Sequence, residues 1–128
     1  MRFYEVGDKD KIENNTIYIA PANYHTLIES ETQFSLDVSE SVWYSKPSID
    51  VTFESAADVF KNNCTAILLS GANQDGANGL LKLRQAGSLT IVQDPAEAEM
   101  DDMPNAALHI NAADYILNTN EIFQLLQI

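Results

Sequence analysis

The segment "AILLSGANQDGANGLLKLRQAG", residues 66–87, decides how the rest of the chain is read. Four of the chain's five glycines fall inside it: Gly71, Gly76, Gly79 and Gly87. A single acid, Asp75, stands directly before the second of them. The apolar run "TAILLS" before the loop fits a parallel strand covered on both sides. After it, Leu80, Leu81 and Leu83 recur on a helix that starts near Gly76 and stops at Gly87. The loop therefore joins a strand to a helix, which is where ligands bind in parallel α/β sheets.

Downstream the alternation continues. "LTIVQ" is a second buried strand, and "DPAEAEMDDMP" is an acidic loop. Pro104 opens a short helix over "PNAALHI", "DYIL" is a last strand, and "NTNEIFQLLQI" is a last helix with Asn118 and Glu121 spaced as a capping box. Upstream, "TIYIA", the stretch around "YHTLIE" and "QFSLDV" form three short strands with turns between them, an antiparallel excursion near the N-terminus. "SESVWYSK" is a loop. Ser48 caps a helix running to about Asn62, with Ile49, Phe53, Ala56, Ala57 and Phe60 on its buried face. The predicted fold class is α/β: a doubly wound, mostly parallel sheet with a short antiparallel excursion.

Composition narrows the function. Seven basic against nineteen acidic residues give a net charge of −12. With no basic stripe, that excludes a nucleic-acid partner. No run is long enough to insert in a membrane and no signal peptide opens the chain, so a cytoplasmic location is expected. Cys64, the only cysteine, excludes an internal disulfide and a thiolate metal cluster. Its place before a buried strand suits a small apolar role. The length of 128 residues fits a single domain.

The glycine loop admits three readings. Gly71 and Gly76 have P-loop spacing, but Ala77 and Asn78 follow where Lys and Ser or Thr are needed. A structural reading has glycine for tight turns and Asp75 as the cap of the helix from Gly76. On the residues alone this is the simpler one. The third makes Asp75 the acid of a hydrolytic triad, orienting an imidazole. Of the two histidines, His25 lies at a strand end in "APANYH" and is the better partner, whereas His109 is placed on a packing face of its helix.

Taken together, "IYIAPANYH", "KPSIDVTFESAADVF", "AILLSGANQDGANGLLKLRQAG", "TIVQDPAEAEMDDMPNAAL" and "AADYIL" resemble, in that order, the catalytic domain of CheB-type protein-glutamate methylesterases. The resemblance covers nearly all of the chain after about residue 11. It implies a doubly wound α/β domain with a Ser-His-Asp triad that hydrolyses methyl esters on chemoreceptor glutamates, with glutamine deamidation in many members. It implies that a methylated chemoreceptor is the partner and that no metal or organic cofactor is needed. His25 matches the triad histidine of the family's "APxxxH" segment, and Asp75 the triad aspartate of its "GMGxDG" loop. Ala72 stands where the family's methionine lends a backbone N–H to the oxyanion hole.

Several positions depart from the family. "GMG" is "GAN" here, so Asn73 replaces a glycine and alters the loop's path. Lys46 replaces an arginine before "PS", keeping charge but losing a fork of donors. Trp43 and Tyr44 replace polar or basic residues on the substrate surface. The family's serine lies in a "GxSxGG" segment upstream of the histidine, yet the 24 residues before His25 contain no serine. The expectation is a partial catalytic domain over residues 1–128, without the family's first βα units and without a receiver domain. Asp101 and Asp102 are then a solvated acidic pair. Ser70 and Ser48 lack the sharp strand-to-helix turn of an activated serine. Such a chain is either the part of a methylesterase that carries His25 and Asp75, or a catalytically inactive binding or regulatory module. Its uncovered sheet edge and apolar faces predict self-association.

Overall fold

The computed structural model describes residues 1–42 and 45–127. Seven strands and four helices are found among them. β1 (Arg2–Glu5) pairs in parallel with β2 (Thr16–Ile19), Arg2 opposite Thr16. β3 (His25–Ser30) and β4 (Gln33–Asp37) form an antiparallel hairpin with a bulge between Ile28 and Ser30. After α1 (Ile49–Phe60), three parallel strands run in the order β5 (Thr65–Leu68), β6 (Leu89–Gln93), β7 (Tyr115–Leu117). Helices α2 (Ala77–Gln85) and α3 (Asp102–His109) connect them, and α4 (Thr119–Leu126) follows.

The α/β class, the parallel pairing and the short antiparallel pair are as expected, with four differences in detail. The excursion holds two antiparallel strands rather than three, because β2 turns to the unforeseen β1. All four residues of "RFYE" are exposed, so no burial periodicity marks that strand. β5 is not covered on both sides: Ala66 and Leu68 are buried, Ile67 is half-buried and Leu69 is exposed. The strand buried on both faces is β6, with Thr90, Ile91 and Val92. Finally, α3 begins at Asp102 rather than Pro104, which makes Asp101 and Asp102 its cap position and first turn, both exposed. Acids suit that end of a helix because unpaired N–H groups gather there.

Local chemistry explains the boundaries that position the site. Ser48 is the N-cap of α1, its hydroxyl accepting from the Val51 N–H. α2 ends in a Schellman turn: Gly87 takes a positive φ of 94°, its N–H reaches the Arg84 carbonyl, and the Ser88 N–H reaches Leu83. α4 carries the full capping box of Asn118 and Glu121. The core gathers Leu68, Leu80, Leu83, Val92, Ala107 and Ala112 between the three-stranded sheet and its helices. Outside it, Phe3, Tyr115, Ile116 and Phe123 remain more than half exposed on β1, β7 and α4. No helix among the described residues is long and apolar enough to cross a membrane.

Candidate functional site

The glycines set the distances around Asp75. Gly76 has a φ of 101°, and a Cβ there would come within 2.6 Å of Leu68 Cδ1. At Gly79 a Cβ would lie 2.6 Å from Phe53 Cβ and 3.1 Å from the Asp50 backbone, so α1 and α2 touch through glycine. This close approach lets the Gly79 N–H donate to Asp50 Oδ1 at 2.7 Å. Gly71 is pressed against Met103 of α3 in the same way.

Asp75 caps a helix, but not the one that follows it. Gly76 is the N-cap position of α2 and offers no side chain. The Asp75 carboxylate instead reaches the start of α1, accepting from Ser48 Oγ at 2.8 Å, the Ile49 N–H at 2.6 Å and the Asp50 N–H at 3.0 Å. An anion there satisfies unpaired N–H groups and complements the helix dipole. The loop is held for this by Asn73, whose side-chain oxygen accepts from the Asp75 N–H and whose amide donates to Ser45 Oγ. Asn73, a departure from the family's glycine, thus ties the loop to the segment before α1.

His25 begins β3 and is fully buried. Its Nδ1 accepts from the Ser48 N–H at 3.1 Å, and its Nε2 lies 2.8 Å from the Glu40 carbonyl oxygen. A backbone N–H can only donate and a carbonyl can only accept, so the ring is the Nε2–H tautomer. Among the described residues no bond joins His25 to Asp75 directly. Ser48 stands between them, its N–H on the imidazole and its hydroxyl on the carboxylate.

A second carboxyl, Asp50, lies in the same knot and is not singled out by the sequence pattern. It is buried, and burial pushes it above the usual carboxylate range; the Gly79 N–H opposes that shift and the nearby Asp75 charge adds to it. The spacing signal was present, since Asp50 is the last residue of "PSID", two positions after the Ser48 cap, but such a residue is ordinarily an exposed first-turn acid. Only the contact at Gly79 buries it.

The remaining candidates fall elsewhere. Ala72 is exposed, and among the described residues nothing accepts its N–H. It lines a cavity of about 650 Å³ together with Gln74, Asn78, Asp102, Asn105 and His109. His109 is therefore exposed at the rim of that cavity rather than on a packing face. The last turn of α3 faces outward there, which the apolar neighbours Leu108 and Ile110 obscured. Ser70 exchanges both of its hydroxyl's bonds with the Met100 backbone, and Ser48 is buried with its hydroxyl committed to Asp75. Lys46 spends its ammonium on the Val38 carbonyl. Burial raises the Cys64 thiol, which suits a packing role over a reactive one. Trp43 and Tyr44 lie outside the described residues.

Comparison with known proteins settles the kinship. The CheB methylesterase family model matches residues 1–126. The chain belongs to the CheB methylesterase family. A provisionally named protein-glutamate methylesterase/protein-glutamine glutaminase of Leptospira interrogans is 42% identical over 125 residues, covering 98% of this chain and 65% of its own length. A protein-glutamate methylesterase/protein-glutamine glutaminase of Rhodospirillum rubrum is 38% identical over 120 residues, 91% of this chain and 33% of that one. The CheB methylesterase catalytic domain of Thermotoga maritima superposes with a TM-score of 0.90 at 28% identity, covering 95% of this chain and 66% of that domain. The CheB-family chain thus spans just under two thirds of the Leptospira relative and of the solved domain.

Proposed function

We propose that these 128 residues are the His- and Asp-bearing part of a protein-glutamate methylesterase catalytic domain, acting in the cytoplasm on methylated chemoreceptors. The observation that carries this reading is the joint attachment of His25 and Asp75 to Ser48 at the start of α1. The nucleophilic serine comes from outside these residues. Its hydroxyl would pass a proton to His25 Nε2 while its oxygen attacks the ester carbonyl, and the same proton would leave with methanol. Ala72 would offer its N–H to the oxyanion, and water would then release the glutamate. Deamidation of glutamine follows the same steps with ammonia leaving.

The present bonding of His25 is a resting one. Nε2 carries a hydrogen directed at Glu40, and Nδ1 faces a donor, so an imidazolium has no place for its second N–H. Base catalysis requires Nδ1 to turn from the Ser48 N–H to the Asp75 carboxylate and Nε2 to leave the Glu40 carbonyl. That requirement favours a second reading, in which the chain binds receptor or another chemotaxis component without turnover. The exposed apolar side chains of β1, β7 and α4 support self-association in either case.

Methanol release from methylated receptor decides between the readings. The chain supplied with a serine-bearing segment from a CheB-family relative is expected to release methanol, and His25→Ala to abolish it. No release from a folded, complemented chain favours the binding module.

A further inference from the structure

Asp75 and Asp50 exchange helices. The Asp75 carboxylate, on the loop before α2, accepts from the Ile49 and Asp50 N–H groups at the start of α1. The Asp50 carboxyl, in the first turn of α1, accepts in return from the Gly79 N–H in the first turn of α2, at 2.7 Å. The Gly76 N–H faces the same carboxyl: burial raises the proton affinity of Asp50, and the Gly79 and Gly76 N–H groups oppose that rise. Each helix start is thus capped by a buried acid from the other segment. Asp50 takes part in both halves of the exchange. Its own N–H donates to Asp75 Oδ1 at 3.0 Å, while its side chain holds the helix that begins beside Asp75.

The exchange settles a competition between the two helix starts. α2 has no side-chain cap of its own, because Gly76 occupies its N-cap position. A φ of 101° there, and the 2.6 Å approach of a Cβ to Leu68 Cδ1, close that position to any side chain. With Asp50 removed, the nearest other acid in the chain to the unpaired N–H groups of α2 is Asp75, directly before Gly76. A carboxylate drawn back to α2 leaves Ser48 and Ile49, and with them the side of the knot on which His25 lies. Asp50 occupies the α2 donors and so frees Asp75 for α1.

We propose that Asp50 is a positioning residue of the hydrolytic site: by capping α2 it keeps the Asp75 carboxylate on the α1 side, where the His25 imidazole can turn to it. Among the described residues Asp50 makes no bond to His25, so it acts through Asp75. This role rests on the methylesterase reading and adds to it a residue behind the His25–Asp75 pair. The backbone of the loop, with the Ala72 N–H, is held by the same clamp.

Asp50→Ala and Asp50→Asn separate this role from a merely structural one. The first removes the acceptor, and the second keeps a carbonyl oxygen for the Gly79 N–H. Position is read on the chain itself, from the Asp75 carboxylate carbon resonance and the Ala72 amide resonance. Turnover is read as methanol release by the chain supplied with a serine-bearing segment. Asp50→Ala is expected to move both resonances, to lower kcat about tenfold or more and to leave KM within about twofold. Asp50→Asn is expected to restore the resonances and to bring kcat back to within about threefold. On an Asp75→Asn background, Asp50→Ala should lower the residual rate by less than about twofold, because the group it positions has already lost its charge. A general loss of structure would cost the same on both backgrounds. Asp50→Ser, whose hydroxyl is one bond shorter than the carboxyl, takes the place of Asp50→Ala should that variant not fold. Unmoved Asp75 and Ala72 resonances in a folded variant overturn the proposal, as do equal losses in Asp50→Ala and Asp50→Asn, equal losses on both backgrounds, or a rise in KM alone. Normal turnover with unmoved resonances does so while leaving the methylesterase reading standing. No methanol from the folded, complemented parent sinks that reading, and the two resonances then decide the positioning by themselves.

Discussion

The two sides of the glycine loop are built on opposite terms. On one side Asp75, Ser48, His25 and Asp50 are buried and bonded to one another or to backbone. On the other, Gln74, Asn78, Asn105 and His109 stand around an open volume with no partner among the described residues. The same few residues of backbone, 71–76, separate a saturated polar knot from an unsaturated polar surface. A knot of that kind holds geometry, because each lost partner strands a buried group. A surface of the second kind loses nothing by being left alone, so its amides are available for recognition.

That contrast can be broken by substitution. Asp75→Ala strands three donors at the start of α1 and is expected to cost about 3–5 kcal/mol in urea denaturation. A loss below about 1 kcal/mol would show that the knot is not what secures α1. Gly79→Ala drives a methyl into Phe53 and the Asp50 backbone, and about 2–3 kcal/mol should be lost with the slope of the transition unchanged. Ser48→Ala removes the cap to Val51 and one bond to Asp75, for about 1–2 kcal/mol. The backbone N–H to His25 survives that change, so the imidazole resonances should move little.

The Asp50 carboxyl supplies a test by sign. Its folded-state value lies above the unfolded one, so the folded protein holds the proton more tightly. Its favourable contribution is complete below the unfolded value, near pH 4, and is lost as pH rises through the raised folded value. Stability of the parent relative to Asp50→Asn should therefore fall as pH is raised across that window. A difference independent of pH contradicts the burial of an ionisable carboxyl there. On the open side, Asn105→Ala and Asn78→Ala should change stability by less than about 0.5 kcal/mol, since neither amide has an internal bond to lose.

How much of this is legible in the sequence depends on the range of each interaction. Local chemistry is: the Ser48 cap, the Gly87 stop and the Asn118–Glu121 box each depend on residues a few positions apart, and each stands where the pattern puts it. His25 and Asp75 are legible as candidates through the family's two segments. Their connection is not, because it passes through a helix start 27 residues before Asp75. The local rule assigned Asp75 to α2; the close contact at Gly79 assigns it to α1. β1 escaped notice for a related reason, since its residues are exposed and only the pairing with Thr16–Ile19 makes it a strand. At α3, proline at a first helical position was the stronger local signal, yet the acids before it begin the helix.

Ser48 joins the two family residues, with its N–H on His25 and its hydroxyl on Asp75. A long-range proton–nitrogen correlation spectrum of His25 tests it most directly. A neutral ring with the hydrogen on Nε2 and an unprotonated, hydrogen-bonded Nδ1 is expected. A hydrogen on Nδ1 would contradict it, because that nitrogen could no longer accept from Ser48 and would have to face the Asp75 carboxylate itself.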